Sequence, residues 1–400
     1  MQRQAQTPPA AAASVGTVKH LRAHGSLLYK RSTVQHLTLV SAKGDVKEVP
    51  YERVSEAFGV ENHPHILHAL EEGEPVLRRR VLEALASVLK LPQELVVSLK
   101  HGALELVEGG ITVGVGEDGA SAPTELTESE IELQELSARV LSVVAESPCG
   151  QAELLKGETI ARIKPVFAAA SNKATCQHLY DALLHLSASF AGARQLTSAG
   201  YLFVVLDHLK GCRLNDALRV RALHLLKNLL NDGVDGTTFR ALDLGAVAQC
   251  AKRLHSPNFE VRAAACDALA AVGFADKARK AVAEHAGVVP RLCALLTDPQ
   301  WQVASASAGA LMSLAAHDEI KRQIVASDGL APVNQLLLTN KAPLQLRTTK
   351  LVAVVTALPA ARRLLDVPAT TLRLKTLMQD ENALLAKSAK GALAAVQWRA

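Results

Sequence analysis

Aromatic side chains are scarce in this sequence, making up 3% of its 400 residues, although 49% of the chain is hydrophobic. Alanine and leucine supply much of that hydrophobic fraction. A core with few rings is filled by small and aliphatic side chains, which allow close packing where helices cross. The composition therefore favours a protein built from tightly packed helices.

Paired cysteines and export signals are also lacking. The six cysteines, at positions 149, 176, 212, 250, 266 and 293, form no CxxC pair, and most lie in helical patterns as small apolar residues. There is no N-x-Ser/Thr sequon, no apolar signal core near the start, and no apolar run of about 18 residues. We therefore expect a soluble protein of a reducing intracellular compartment that does not bind membranes.

Motifs for catalysis, nucleotide binding and metal binding are missing as well. GVGEDG at 114–119 fits G-x-G-x-x-G, but no strand–turn–helix unit surrounds it and its two acids would repel a pyrophosphate. His63, His65 and His68 cluster without the nearby thiolates that a zinc site would be expected to have. No nucleophile, base and orienting group stand together. The sequence thus predicts no enzyme, no catalytic residue, no cofactor, no metal site and no nucleic-acid partner.

What the sequence does contain is an internal repeat. Gly245–Ala286 aligns without a gap on Gly287–Asp328, and Gly329 opens another block in the same phase. Apolar positions coincide in the alignment: Leu254 with Leu296 and Leu338, Val261 with Val303, Leu269 with Leu311. A period of about 40 residues in helical sequence is the signature of armadillo and HEAT repeats. Such units bury their apolar faces by stacking on one another.

We therefore predict an all-α fold, a right-handed α-solenoid of the armadillo/HEAT type with about eight repeats over residues 51–400. Residues 1–50 are expected to form an irregular extension that is disordered at 1–17, with TVQHLTLVSA at 33–42 as a short strand or extended segment. A Gly- and acid-rich loop at 109–125 lengthens the second repeat. Loops of this length are usually flexible or carry interactions.

Charge is concentrated in the N-terminal extension. The formal net charge is +5, and residues 1–50 hold seven Lys/Arg against two Asp/Glu, so residues 51–400 sum to zero. A basic arm of this kind can bind an acidic surface. The alternative is a solvated tail without a partner.

The third helix of each repeat lines the groove in peptide-binding armadillo proteins such as importin-α, with a ladder of asparagines and tryptophans four residues earlier. At the equivalent positions only Asn228 is an asparagine and none is a tryptophan, which argues against nuclear-signal or catenin-type recognition. Small residues on the floor would admit a partner helix or coiled coil; alternatively, they only ease packing between repeats. The candidate partner-binding groove comprises His185, His224, Asn228, Asp267, Ala271, Gly309 and Ser313.

Four stretches carry a family resemblance: Glu56–Leu89, Asp298–Arg322, Leu344–Leu365 and Leu384–Val396. They resemble the radial spoke armadillo proteins of cilia and flagella, the radial spoke protein 14 family and its relative radial spoke protein 8. Residues 1–50 and the loop at 109–125 depart from the family pattern.

This resemblance implies a non-enzymatic subunit of the radial spoke in the axoneme, a cytoskeletal location within the cytoplasm. Such an adaptor would bind other radial spoke subunits and so support the control of dynein-driven motility. Alternatives are another axonemal complex, or a cytosolic adaptor of the importin or catenin kind.

Overall fold

The computed structural model describes residues 28–33, 36–40, 46–50, 63–114, 126–169, 172–211 and 214–399. The chain divides into two compact units, Met1–Leu186 and Ser187–Ala400.

The helices of the first unit are α1 (His63–Glu72), α2 (Pro75–Val88), α3 (Pro92–Lys100), α4 (Ala103–Ile111), α5 (Glu128–Glu146), α6 (Pro148–Lys156), α7 (Thr159–Ala169) and α8 (Lys173–Leu186). Those of the second unit are α9 (Phe190–Ser198), α10 (Tyr201–Lys210), α11 (Asp216–Leu230), α12 (Asp235–Asp243), α13 (Ala246–Arg253), α14 (Phe259–Val272), α15 (Asp276–Glu284), α16 (Val288–Leu295), α17 (Trp301–Leu314), α18 (Asp318–Ala326), α19 (Val333–Leu338), α20 (Ala342–Val355), α21 (Pro359–Leu365), α22 (Pro368–Leu377) and α23 (Ala383–Gln397).

These helices recur as two shorter helices followed by a longer one. The longer, third helices are α2, α5, α8, α11, α14, α17, α20 and α23, so the described helices make eight repeats, the first represented by α1 and α2. Within each unit, successive third helices pack side by side in one layer. The predicted all-α armadillo-type solenoid is confirmed for the repeat array.

Glycine marks the phase of the repeat because the turn before a second helix needs a left-handed residue. Gly102, Gly200, Gly245 and Gly287 have φ of 83°, 84°, 82° and 88°, where a side chain is strained. In the next repeat Asp328 takes this role, with φ of 53°. Gly245 and Gly287 of the alignment therefore meet a backbone requirement, whereas Gly329 directly follows the left-handed residue Asp328.

The aligned apolar residues form the core of the central repeats. Val261, Leu269, Val303 and Leu311 are fully buried between the helix layers. Leu338 differs from its aligned partners, since its side chain is 66% exposed. Leu338 is the last residue of the six-residue α19, whereas Leu254 and Leu296 directly follow the eight-residue α13 and α16.

Arginines on the second helices join neighbouring repeats of the second unit. Each donates to a carbonyl oxygen at the end of the preceding second helix, a group that has no partner within its own helix. The cation also lies at the negative end of that helix dipole. The pairs are Arg253 with Leu209, Arg291 with Leu254 (Nε 3.2 Å and Nη2 3.1 Å from the oxygen), and Arg373 with Leu337 (2.8 Å).

The N-terminal extension contains a regular element that the prediction of an irregular segment missed. Strands β1 (Leu28–Thr33), β2 (His36–Val40) and β3 (Val46–Pro50) pair antiparallel in the order β1-β2-β3. β2 falls within the predicted extended segment, where apolar and polar residues alternate. The backbone of β1 approaches α2. The disorder predicted for 1–17 lies outside the described residues.

The interruption of the second repeat begins later than predicted. Gly109, Gly110 and Ile111 are not loop residues but the last turn of α4. A Cβ on Gly110 would lie 2.2 Å from the Ser137 Oγ atom on α5, so this glycine allows two helices to approach closely. The remaining loop residues, 115–125, lie outside the described part of the chain.

Candidate functional site

All seven predicted groove residues lie on third helices. His185 is exposed at the end of α8 in the first unit. The other six belong to α11, α14 and α17 of the second unit, next to which α20 packs. We call the solvent-facing side of α11, α14, α17 and α20, which carries His224, Asp267, Gly309 and Arg347, the groove face.

Caps and a buried ion pair fix the register of these helices. Asn215 caps α11 by accepting from the Leu218 backbone N–H at 2.9 Å, and Asn258 caps α14. Arg262 of α14 binds both carboxylate oxygens of Asp298, in the turn before α17, at 2.9 Å and 3.0 Å. This bidentate pair ties α14 to the start of α17.

Asp267 is the electrostatic centre of the groove face. Its carboxylate lies 3.8 Å from the Lys227 Nζ atom of α11 and 3.2 Å from the Arg347 Nη1 atom of α20. Arg347 thus reaches across the whole width of α17 to a helix two repeats earlier. The Arg347 and Asp267 side chains are 37% and 23% exposed, so this ion pair is partly solvated. Such pairs contribute about 0–1 kcal/mol.

Gly309 provides the path for this arginine. A Cβ at Gly309 would lie 3.2 Å from Arg347 Cδ and 3.3 Å from Nη1. The arginine side chain therefore lies directly over the glycine, which is buried as a result. The space above this part of the predicted groove floor is filled by the protein itself.

The remaining polar and small groove positions bond or pack within the protein. The Asn228 Nδ2 atom donates to Ser187 Oγ at 3.0 Å, and Ser313 Oγ donates to the Ala270 carbonyl oxygen at 2.8 Å. Ala271 is buried between helices. Ala271 and Ser313 thus serve the packing between neighbouring repeats, one of the two roles considered from the sequence.

His224 is a partly buried histidine on the groove face. Burial lowers the pKa of this imidazole below 6.5, and the Lys227 and Arg221 cations add to the decrease, while Asp267 and Glu260 oppose it. The imidazole is therefore neutral at physiological pH.

Sequence reasoning missed Arg221, Lys227 and Arg347; Lys350 occupies a tryptophan-equivalent position but was not among the candidate residues. A signal was available, since residues three, four or seven positions from a groove residue share its helix face. Arg347 stands seven residues before Val354, which occupies the asparagine-equivalent position of α20.

A second concave feature lies between α13 and α16. This cavity of about 330 Å³ is lined by Lys252, His255, His285 and Arg291 together with backbone of the intervening turns. Arg291 is held by the Leu254 carbonyl oxygen, so this basic residue also has a structural role.

Burial also shifts the pKa of several groups outside the groove face. It raises the pKa of the Cys176, Cys250 and Cys293 thiols to about 12. Burial also raises the pKa of Glu108 on α4, although this carboxylate accepts a hydrogen bond from Thr159 Oγ1 on α7. These groups lie between helices and not in a common cavity.

Among the described residues, no group of three or more His, Cys, Asp or Glu side chains is arranged to hold a metal ion. No helix in the described part of the chain has the length and apolar character needed to cross a membrane.

No protein-family model matches the sequence, and no curated protein matches it. Among solved structures, an engineered protein has a similar fold, with a TM-score of 0.61 and 20% identity over 88% of this chain and 91% of that chain. A designed armadillo repeat protein has a TM-score of 0.51 and 20% identity over 59% of this chain and 98% of its own. A second one, in complex with the peptide (KR)4, has a TM-score of 0.50 and 20% identity over 61% and 99%.

These similarities, together with the three-helix repeat, define the class: this chain has the fold of an armadillo-repeat scaffold.

Proposed function

We propose that this protein is a non-enzymatic scaffold that binds other proteins and serves as a structural adaptor in the radial spoke of a ciliary or flagellar axoneme. The observation that carries the binding role is the groove face. Four third helices present one continuous layer whose solvent side combines partly exposed ions with an uncharged helix, α17. A packed layer of this kind offers a partner a surface with little ordering cost.

The comparison with designed proteins supports the same role. One designed armadillo repeat protein of this fold is in complex with a peptide. Binding of extended or helical segments by packed helix layers needs no catalytic group and uses the surface that stacking leaves exposed.

The radial spoke assignment rests on the sequence resemblance of 56–89, 298–322, 344–365 and 384–396. In the structure the last three lie on or around α17, α20 and α23, where the third-helix layer is formed. The proposed partners are other radial spoke subunits, and the proposed location is the axoneme within the cytoplasmic cytoskeleton. The basic segment 1–50 would add an electrostatic contact to an acidic surface.

The test is localisation in a ciliated cell. The full chain with a proximity-labelling tag is expected to stay with axonemes after detergent and salt extraction and to label radial spoke subunits. The same chain with Leu269→Asp, which disrupts the core, serves as the control for tag-driven retention. Retention with neighbours from another axonemal complex would replace the spoke role. Extraction as a soluble protein with nuclear or junctional neighbours would contradict the axonemal assignment.

A further inference from the structure

The groove face also indicates what kind of partner it fits, an inference that rests on the proposed protein-binding function. We propose that the groove face binds an acidic segment of a partner protein, whose carboxylates take the place of Asp267 at Arg347 and Lys227.

The charges on the groove face are unequal. Three cations, Lys227 on α11 with Arg347 and Lys350 on α20, stand against two carboxylates, Glu260 and Asp267, both on α14. The helix between them, α17, has no charged residue from Trp301 to Leu314. A surface of this pattern has a positive potential, which attracts an acidic chain and repels a basic one.

The single central carboxylate is shared. Asp267 serves Lys227 on one side and Arg347 on the other. Arg347 uses one N–H of a guanidinium that has five, and it binds one oxygen only. Within the described residues, Lys350 has no carboxylate at ion-pair distance. Arg347 and Lys350 therefore have donor capacity that no carboxylate of the described residues uses.

A second ion pair in the same region, between Arg262 and Asp298, is buried and bidentate and can be compared with the Arg347–Asp267 pair. Arg262 and Asp298 form two hydrogen bonds, and their side chains are 13% and 6% exposed. The Arg347–Asp267 bond is single and partly solvated. A partner carboxylate that meets Arg347 with both oxygens gains the stronger bidentate geometry without breaking a buried pair.

An acidic occupant is favoured over a basic one by the same geometry. A cationic side chain that reached Asp267 would displace Arg347 but remain beside Lys227 and the displaced guanidinium. An acidic side chain instead meets cations on α11 and α20, with the uncharged α17 between them.

The experiment measures binding of a fluorescent 12-residue Glu/Ala peptide to the full chain by anisotropy. The matching Lys/Ala peptide is the opposite-charge probe. We expect the acidic peptide to bind and to be released between about 0.05 M and about 0.5 M salt, because surface charge contacts are screened. We expect no binding of the basic peptide to the groove face.

Substitution of Asp267 separates the possibilities. D267N is expected to tighten acidic-peptide binding about three- to tenfold, because a competing carboxylate is removed. D276N is the matched control: it makes the same charge change at an exposed carboxylate of α15 that pairs only within its own helix. Equal effects of D267N and D276N would overturn the proposal. So would binding of the basic peptide that D267N abolishes.

Substitution of the cations completes the test. R347A and K350A are each expected to weaken acidic-peptide binding about two- to fivefold, and R347K to retain part of it. K280A, on α15, is the control for net charge and for binding by the basic segment 1–50. Unchanged binding by R347A, K350A and K280A alike would overturn the proposal. Axonemal retention that persists in an R347A, K350A double variant lacking peptide binding would leave the spoke role intact and remove the groove face from it.

Discussion

Three arginines on the second helices of the second unit and Arg347 on a third helix bind in different ways. On the second helices, three arginines donate to carbonyl oxygens at the ends of neighbouring helices. On the third helices, Arg347 shares the carboxylate of Asp267 with Lys227. A helix-end carbonyl needs a donor from elsewhere in the fold, whereas a shared surface carboxylate leaves donors available to solvent. The arginines of the second helices therefore join repeats through backbone carbonyls, whereas Arg347 on a third helix binds a partly solvated carboxylate and keeps N–H donors exposed.

The largest effect is expected where the two layers share their core. Leu269→Asp or Leu311→Asp places a carboxylate where no solvent reaches, and each should unfold the central repeats, a loss of more than about 4 kcal/mol. Circular dichroism and thermal melting measure this outcome. Gln302→Asp, at an exposed position of α17, is the control and should melt like the unsubstituted protein. An unchanged melting curve for either core variant would show that this register is wrong.

The next largest effect on stability is expected from substitution of Arg253, which we compare with substitution of Arg347. Arg253→Met leaves the buried Leu209 carbonyl without its donor and should lower the free energy of unfolding by about 2 kcal/mol. Arg347→Met removes a partly solvated ion pair and should cost less than about 1 kcal/mol. Urea unfolding of the two variants side by side tests the difference. A larger loss for Arg347→Met would mean that the groove-face bond is structural.

Substitution of two glycines compares a tightly packed turn, at Gly329, with the groove face, at Gly309. Gly329→Ala brings a Cβ to 2.5 Å from Cys293 Sγ and 3.1 Å from the Ile324 carbonyl oxygen, so a loss of about 1–2 kcal/mol is expected. Gly309→Ala meets only the flexible Arg347 side chain and gains about 1 kcal/mol of helix propensity. Its melting temperature should therefore stay the same or rise. If both variants lost equal stability, the arginine over Gly309 would be immobile.

The smallest effect concerns Cys250 on α13 and Cys266 on α14. Burial raises the pKa of Cys250 to about 12, from an ordinary value of 9.0, and also raises the pKa of Cys266. Below pH 9 both thiols are neutral in the folded and unfolded states and do not affect stability. As pH rises from 9 towards 12 only the unfolded thiols ionise, so stability should fall.

Alkaline melting curves measure this decline, which Cys250→Ala should flatten. Exposed Cys149 should react with a thiol reagent before either buried cysteine. Rapid reaction of Cys250 at neutral pH would indicate that the layers separate readily.

The periodicity of the sequence predicted the length of the repeat, the number of repeats and most of the buried positions. It did so because apolar spacing, turn glycines and buried leucines are local properties of each repeat. The exposure of Leu338 is not visible in the alignment, where it coincides with two leucines that are buried. Gly110 was assigned to the loop because a glycine that permits close packing looks the same in the sequence as a loop glycine.

The groove face was only partly predictable. The ladder positions placed six of the seven candidate residues on its helices, but the seventh, His185, belongs to the first unit. The bond between Arg347 and Asp267 depends on side chains 80 residues apart meeting over a third helix. Whether a long side chain lies over a glycine or points to solvent is decided by packing, which no single-helix pattern contains.

The path of Arg347 over Gly309 has a mechanical consequence. In stacked-repeat proteins each unit normally touches only its immediate neighbours, so stiffness is the sum of single joints. Here the Arg347 side chain on α20 passes over α17 and binds Asp267 on α14, two repeats away. Bending of the array at α17 changes the distance between these two side chains, so the ion pair opposes it. When Arg347 binds another carboxylate this link is lost, and the array bends more easily.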